Sequence, residues 1–153
     1  IIGVLATAGT LRGKHFAATL QGLPNDIKII VQEAIGWVET VERGETAPDK
    51  QTLDIVSRHI EPLLKQGADT LVLGCTHFPF LTEQIRMIAP GDMTIINPAP
   101  AVALQTQKIA NSLSFDNNKQ RIFYSTGATE SLERIAKTID NTLTADSFIH
   151  TDI

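Results

Sequence analysis

The sequence predicts an α/β fold built on a mostly parallel sheet. Short apolar runs alternate with stretches of helical period along the chain, the pattern of repeated strand–helix units. One run, Thr70-Leu-Val-Leu-Gly74, is apolar almost without a break, as a strand covered on both faces must be. Just before it, Leu53, Val56, Ile60, Leu63 and Leu64 fall on one face of a helix. The chain has 153 residues, 42% of them hydrophobic and 20% charged, which suits one domain or one and a fraction.

The elements follow in order. Ile1–Ala6 reads as a central strand, and Thr7-Ala-Gly-Thr10 as a turn of small residues with two hydroxyls. A helix over about 11–22 closes near Gly22-Leu-Pro24. Ile27–Val31 is the next strand, and Glu33–Arg43 a short helix ended by Gly44. Asp49 is a suitable N-cap for the long helix carrying Leu53 to Leu64. Pro62 inside that helix removes a backbone donor, so a kink or local break is expected there. Gly67 ends it. After the Thr70–Gly74 strand, Pro79 fits the first turn of a helix over 79–89. Pro90-Gly91 interrupts the chain. Met93–Ile96 follows as a strand, 97–100 as a loop, Ala101–Leu113 as a helix and Phe115–Gln120 as a polar turn. Arg121–Ser125 is a strand and Ala128–Asp140 an amphipathic helix, while the tail from Thr144 is ambiguous.

Composition restricts function. A net charge of −4 argues against a nucleic-acid partner, since no basic face offsets phosphate repulsion. No apolar run approaches the ~20 residues that a spanning helix needs, so no membrane role is read. The single cysteine rules out an internal disulfide and fits a reducing compartment, so a cytoplasmic location is expected. His15, His59 and His150 are scattered without ligand spacing, and no metal site is read. The chain opens on a buried strand without Met or a signal-type region, so sequence upstream is expected.

Ligands of open α/β sheets gather at the carboxyl ends of the strands. Three loops qualify: Thr7–Thr10, Cys75–Pro79 and Ser125-Thr126-Gly127. Each places hydroxyls or a thiol before a helix start, where free N–H groups favour an anion such as a carboxylate or phosphate. Cys75 stands out, because a thiol at such a junction is pushed toward the thiolate. His77, two residues on, can hydrogen-bond the sulfur or pass a proton to a substrate. The competing reading is a small buried hydrophobe beside a surface histidine. Glu39 can reach a pocket or serve as a solvated helix carboxylate, and Trp37 can line a pocket or pack in the core.

Leu71-Val-Leu-Gly-Cys-Thr-His-Phe-Pro-Phe-Leu81 resembles the second catalytic-cysteine motif of bacterial glutamate racemases. The opening Ile2-Gly-Val-Leu-Ala-Thr-Ala-Gly-Thr10 is similar to the family's Thr-x-Gly-Thr loop, and Trp37-Val-Glu39 with Gly44 to its Val-Glu segment. Local departures are Phe80 for Leu, Asn97-Pro98 for Asp-Ser, and Leu11–His15 without the usual Ser.

The resemblance covers only the C-terminal part of the family. It implies a three-layer, parallel-sheet domain of the Asp/Glu racemase type over residues 1–93, and over 94–153 a returning segment of a companion α/β domain. It implies cofactor-independent racemisation of glutamate by two thiols, supplying D-glutamate for peptidoglycan. Cys75 and His77 would be catalytic, with Thr76, His77, Thr7, Thr10 and Glu39 around the substrate. The implied partners are glutamate, the N-terminal half of the protein and a second copy in a homodimer. His77 favours glutamate over aspartate, because aspartate racemases of the superfamily carry Glu there. Other readings stay open: an inactive half-domain that binds a small carboxylate or its missing half, an aspartate racemase relative, or a cysteine hydrolase with Cys75 as nucleophile.

Overall fold

The computed structural model describes residues 1–113 and 121–152. Its main sheet has four strands: β1 (Ile2–Ala6), β2 (Ile29–Glu33), β3 (Thr70–Leu73) and β4 (Thr94–Ile96). They run in the order β2-β1-β3-β4 and every pair is parallel. The connections are helical: α1 (Ala8–Leu11), α2 (Lys14–Gln21), α3 (Trp37–Glu42), α4 (Lys50–Lys65) and α5 (Thr82–Ile88).

Strand alternation divides the sheet into two faces. Leu5, Leu71 and Leu73 point to one face and are fully buried against Val56, Ile60 and Leu63 of α4, Leu81 and Ile85. Trp37 and Val41 of α3 complete this core. Ile2, Val4 and Val72 point to the other face. There Phe16 and Leu20 of α2 lie opposite them across a cavity of about 380 Å³. The result is the expected three layers, with the α2 side packed more loosely because α2 buries no residue completely.

The remaining elements are α6 (Ala99–Asn111), β5 (Phe123–Ser125), α7 (Thr129–Ile139) and β6 (Phe148–His150). β5 and β6 form a separate two-stranded parallel sheet. A second small core joins Ala136, Leu143 and Phe148 to Phe123 and Leu132. α7 packs back on α3. β4 pairs with β3, so the first sheet runs through Ile96. Among the described residues no helix is long and apolar enough to cross a membrane.

Several expected elements are corrected. The Thr7–Thr10 turn is a single turn of helix, α1 (Ala8–Leu11), and the helix over 11–22 is α2, which starts at Lys14 after Gly13 takes an extended conformation. The strand over 27–31 lies two residues later, over Ile29–Glu33, so Glu33 is a strand residue. The following helix starts only at Trp37, because Gly36, at φ 85°, turns the chain into it. The helix containing Pro62 runs through without a break. Its neighbours Ile60 and Leu63 are anchored in the core, and the carbonyl Pro62 leaves unpaired belongs to solvent-exposed Arg58. The helix over 79–89 is a 3₁₀ turn, Phe78–Leu81, followed by α5. α6 begins at Ala99, two residues early, where the Asn97 side chain accepts the Ala99 N–H at 2.9 Å. The ambiguous tail supplies β6. The polar turn read over Phe115–Gln120 lies outside the described residues.

Candidate functional site

The site starts from a close approach between two strands. The Gly74 N–H donates to the Leu5 carbonyl at 2.7 Å. A Cβ at position 74 would lie 2.8 Å from that same oxygen, so only glycine lets the ends of β1 and β3 meet this closely. The loops after these strands, Thr7–Thr10 and Cys75–Pro79, therefore leave from one end of the sheet.

The Cys75 loop is tightly turned. Phe78 N–H donates to the Cys75 carbonyl at 3.2 Å, and Phe80 N–H to the His77 carbonyl at 3.1 Å. Phe78 is fully buried and meets the edge of Trp37, with ring centroids 5.0 Å apart. This anchor holds the loop while Cys75 and His77 remain half-buried and Thr76 is exposed. A cavity of about 250 Å³ opens beside them, lined by Cys75, Thr76, Pro79, Asn97, Pro98 and Ala99 among others.

Three side chains form a line. Cys75 Sγ lies 3.8 Å from His77 Nδ1, and His77 Nε2 lies 3.3 Å from Glu42 Oε1. A carboxylate beside Nε2 favours the tautomer that carries its proton on that nitrogen. In the neutral imidazole this leaves the Nδ1 lone pair facing the thiol. Transfer of the sulfur's proton to Nδ1 gives a thiolate beside an imidazolium that Glu42 steadies from its far side. Arg43, next to Glu42, is taken up elsewhere. Its guanidinium donates to Glu45 at 2.8 Å, and that hydrogen bond holds the Glu45 carboxyl below its ordinary range.

The other expected site residues are placed as follows. Thr7 caps α1: its hydroxyl oxygen accepts the Thr10 N–H at 3.4 Å and lies 3.1 Å from the Thr10 hydroxyl. Thr10 lines the cavity under α2, together with Gly74 and Pro98, and not the one beside Cys75. Thr76 lines the Cys75 cavity. Glu39 is exposed, on the Arg43 side of α3, and the carboxylate that meets His77 is Glu42. The Ser125–Gly127 loop belongs to the second sheet, where the Ser125 hydroxyl accepts the Gly127 N–H. Among the described residues no three His, Cys, Asp or Glu side chains gather as metal ligands would.

Glu42 was missed in the sequence because Val38-Glu39 and Val41-Glu42 carry the same local pattern. The fold separates them: Glu42 is half-buried with its carboxylate against His77, whereas Glu39 is exposed.

Comparison with known proteins bears on this geometry. The family model for Asp/Glu/Hydantoin racemase matches residues 1–106. The chain is 38% identical to the glutamate racemase of Pseudomonas entomophila (strain L48) over 139 residues, which is 88% of this chain and 52% of that protein. Among solved structures, it superposes on a glutamate racemase of Bacillus anthracis with a TM-score of 0.79 at 29% identity, covering 99% of this chain and 57% of that one. It also superposes on a glutamate racemase of Francisella tularensis, solved in complex with D-glutamate, with a TM-score of 0.78 at 19% identity and coverages of 99% and 57%. The chain spans about half the length of the curated relatives it matches.

Proposed function

The chain belongs to the Asp/Glu/Hydantoin racemase family, and from that premise we propose that it carries one of the two acid–base sites of a cofactor-independent glutamate racemase. The observation that supports this most directly is the Cys75–His77–Glu42 line, whose thiol end lines a cavity.

In this reading Cys75 passes its proton to His77 Nδ1 and becomes the base. The thiolate then takes the α-proton of L-glutamate. The S–H bond forms as the Cα–H bond breaks, and the electron pair stays on Cα, delocalised into the substrate carboxylate. A planar carbanion must be reprotonated from its opposite face to invert. That requires a second acid, which this chain does not hold as a cysteine. The companion half of the protein supplies it, and the two halves close over the substrate. Thr76, which lines the Cys75 cavity, offers donors to a substrate carboxylate, where preorganised hydrogen bonds stabilise the developing charge. The product feeds peptidoglycan. Residues through Ile96 form the second domain of the enzyme, and α6 onward returns toward the first.

Exchange of the α-proton tests this directly. L-glutamate incubated with the chain in D₂O is expected to lose its α-proton NMR signal, and Cys75→Ser is expected to abolish the exchange. Exchange that persists in Cys75→Ser takes the thiol out of the chemistry. A folded wild-type chain that exchanges neither isomer shows that these residues do not form a working base without the companion half.

A further inference from the structure

We propose that Arg134, on the returning helix α7, is a positioning residue for the Glu42–His77 pair. This rests on the Cys75–His77–Glu42 line having the proton-transfer role given above.

The argument begins at the end of α3. The last carbonyls of a helix have no partner within it and must find one elsewhere. Glu39, Thr40 and Val41 are satisfied by the N–H groups of Arg43, Glu45 and Gly44, as the chain turns away through Gly44 at φ 78°. Glu42 gets its donor from far along the sequence: the Arg134 guanidinium donates to its carbonyl oxygen, across 92 positions. The Arg134 stem lies along the turn, with Cδ 3.1 Å from where a Cβ on Gly44 would be. Glycine at 44 thus serves both the left-handed turn and the seat of the arginine.

Glu42 is therefore held at both ends. Arg134 fixes its backbone and His77 meets its carboxylate at 3.3 Å. Among the described residues the charged group that meets the carboxylate is His77; Arg134 of α7 reaches the carbonyl of the same residue, and Arg43, next along α3, faces Glu39 and is engaged by Glu45. α7 meets the body of the protein around a small pocket of Val41, Gly44, Thr46, Phe80 and Ile135. Only its Arg134 donates to the residue that touches His77. Without Arg134 the last turn of α3 loses its outside donor, the Glu42 carboxylate is free to leave His77, and the imidazolium that stabilises the thiolate loses its counter-charge.

The single cysteine makes the test specific, since iodoacetamide alkylation of the chain reports on Cys75 alone. Arg134→Ala is expected to slow alkylation at neutral pH about fivefold and to move the pH–rate profile upward. Glu42→Gln is expected to do the same, and the double variant to add nothing further. Arg134→Lys, which keeps a donor, is expected to stay close to wild type. An unchanged profile in Arg134→Ala while Glu42→Gln slows overturns the positioning role and leaves the proton line standing. Additive effects in the double variant also overturn it, since Arg134 would then act by another route. No effect in Glu42→Gln overturns the proton line itself. Circular dichroism of each variant confirms that the comparison is made on folded protein.

Discussion

Trp37 shows how one side chain ties the core to the site. It is fully buried, it meets Phe78 under the Cys75 loop, and its indole N–H donates to His59 Nδ1 at 3.2 Å. The same nitrogen lies 3.0 Å from the Ile55 carbonyl, and one ring nitrogen serves one of these two bonds at a time, accepting from Trp37 when it carries no proton. Replacing His59 by Leu leaves a buried indole donor unpaired. The expected cost is about 1–3 kcal/mol, a drop of a few degrees in the melting midpoint. A midpoint equal to wild type would show that the indole finds another acceptor. His59 and Trp37 are 22 positions apart, on different helices, and no sequence pattern links them. The sequence motif at Cys75 was legible for the opposite reason, because Cys75, Thr76 and His77 are contiguous and sit where a strand ends. Glu42 reaches His77 only through the fold, which brings the end of α3 against the Cys75 loop and leaves Glu39 exposed.

Among elements, legibility followed how much each one depends on its own residues. β3 and α4 lay where expected, since an unbroken apolar run and an Asp cap with one apolar face carry their own signals; the Asp49 side chain accepts the Thr52 N–H at 2.8 Å. Boundaries shifted where a glycine decided them, at Gly13 and Gly36. The run through Pro62 was illegible because core anchoring on both sides outweighs one lost backbone bond. The meeting of β1 and β3 was likewise invisible, yet it positions both loops of the site. Gly74→Ala brings a methyl carbon against the Leu5 carbonyl, and backbone on both sides leaves no flexible group to yield. Overpacking of this kind is expected to destabilise by about 1–3 kcal/mol. Because the displaced residue adjoins Cys75, the alkylation rate should change together with the melting midpoint. A lower midpoint with an unaltered alkylation rate would mean that the sheet absorbs the strain away from the site.

For the whole molecule, the four-stranded sheet and the two-stranded one are unequal in strength. The first rests on a core of fully buried residues from β1, β3, α3, α4 and α5. The second has three buried residues and two parallel strands, and a lone pair of strands is marginal in water. Its supports are the stacking of Phe123 on Phe148, with centroids 5.1 Å apart, and a polar knot at the end of α7. In that knot the Thr142 hydroxyl donates to Asp140 at 2.6 Å and the Thr142 N–H at 3.0 Å, while Arg121 pairs with the other carboxylate oxygen. These bonds, Thr142 first and Arg121 after it, hold the Asp140 carboxyl at about 2, down from an ordinary 3.8. A lowered carboxyl stabilises the fold fully above its unfolded value and loses that contribution as pH falls through the folded one. The window is therefore from about pH 4 down to about pH 2. Asp49 is lowered in the same direction on the larger unit, chiefly by the Thr52 N–H, but there the deep core remains when it is protonated. Hydrogen exchange followed by mass spectrometry should show protection in Phe148–His150 fading across this window while β1 and β3 stay protected. Asp140→Asn should lose that pH dependence, because the side chain no longer titrates. If Asp140→Asn retains the same acid transition in β6, or if β1 and β3 open together with β6, the knot does not hold the second sheet.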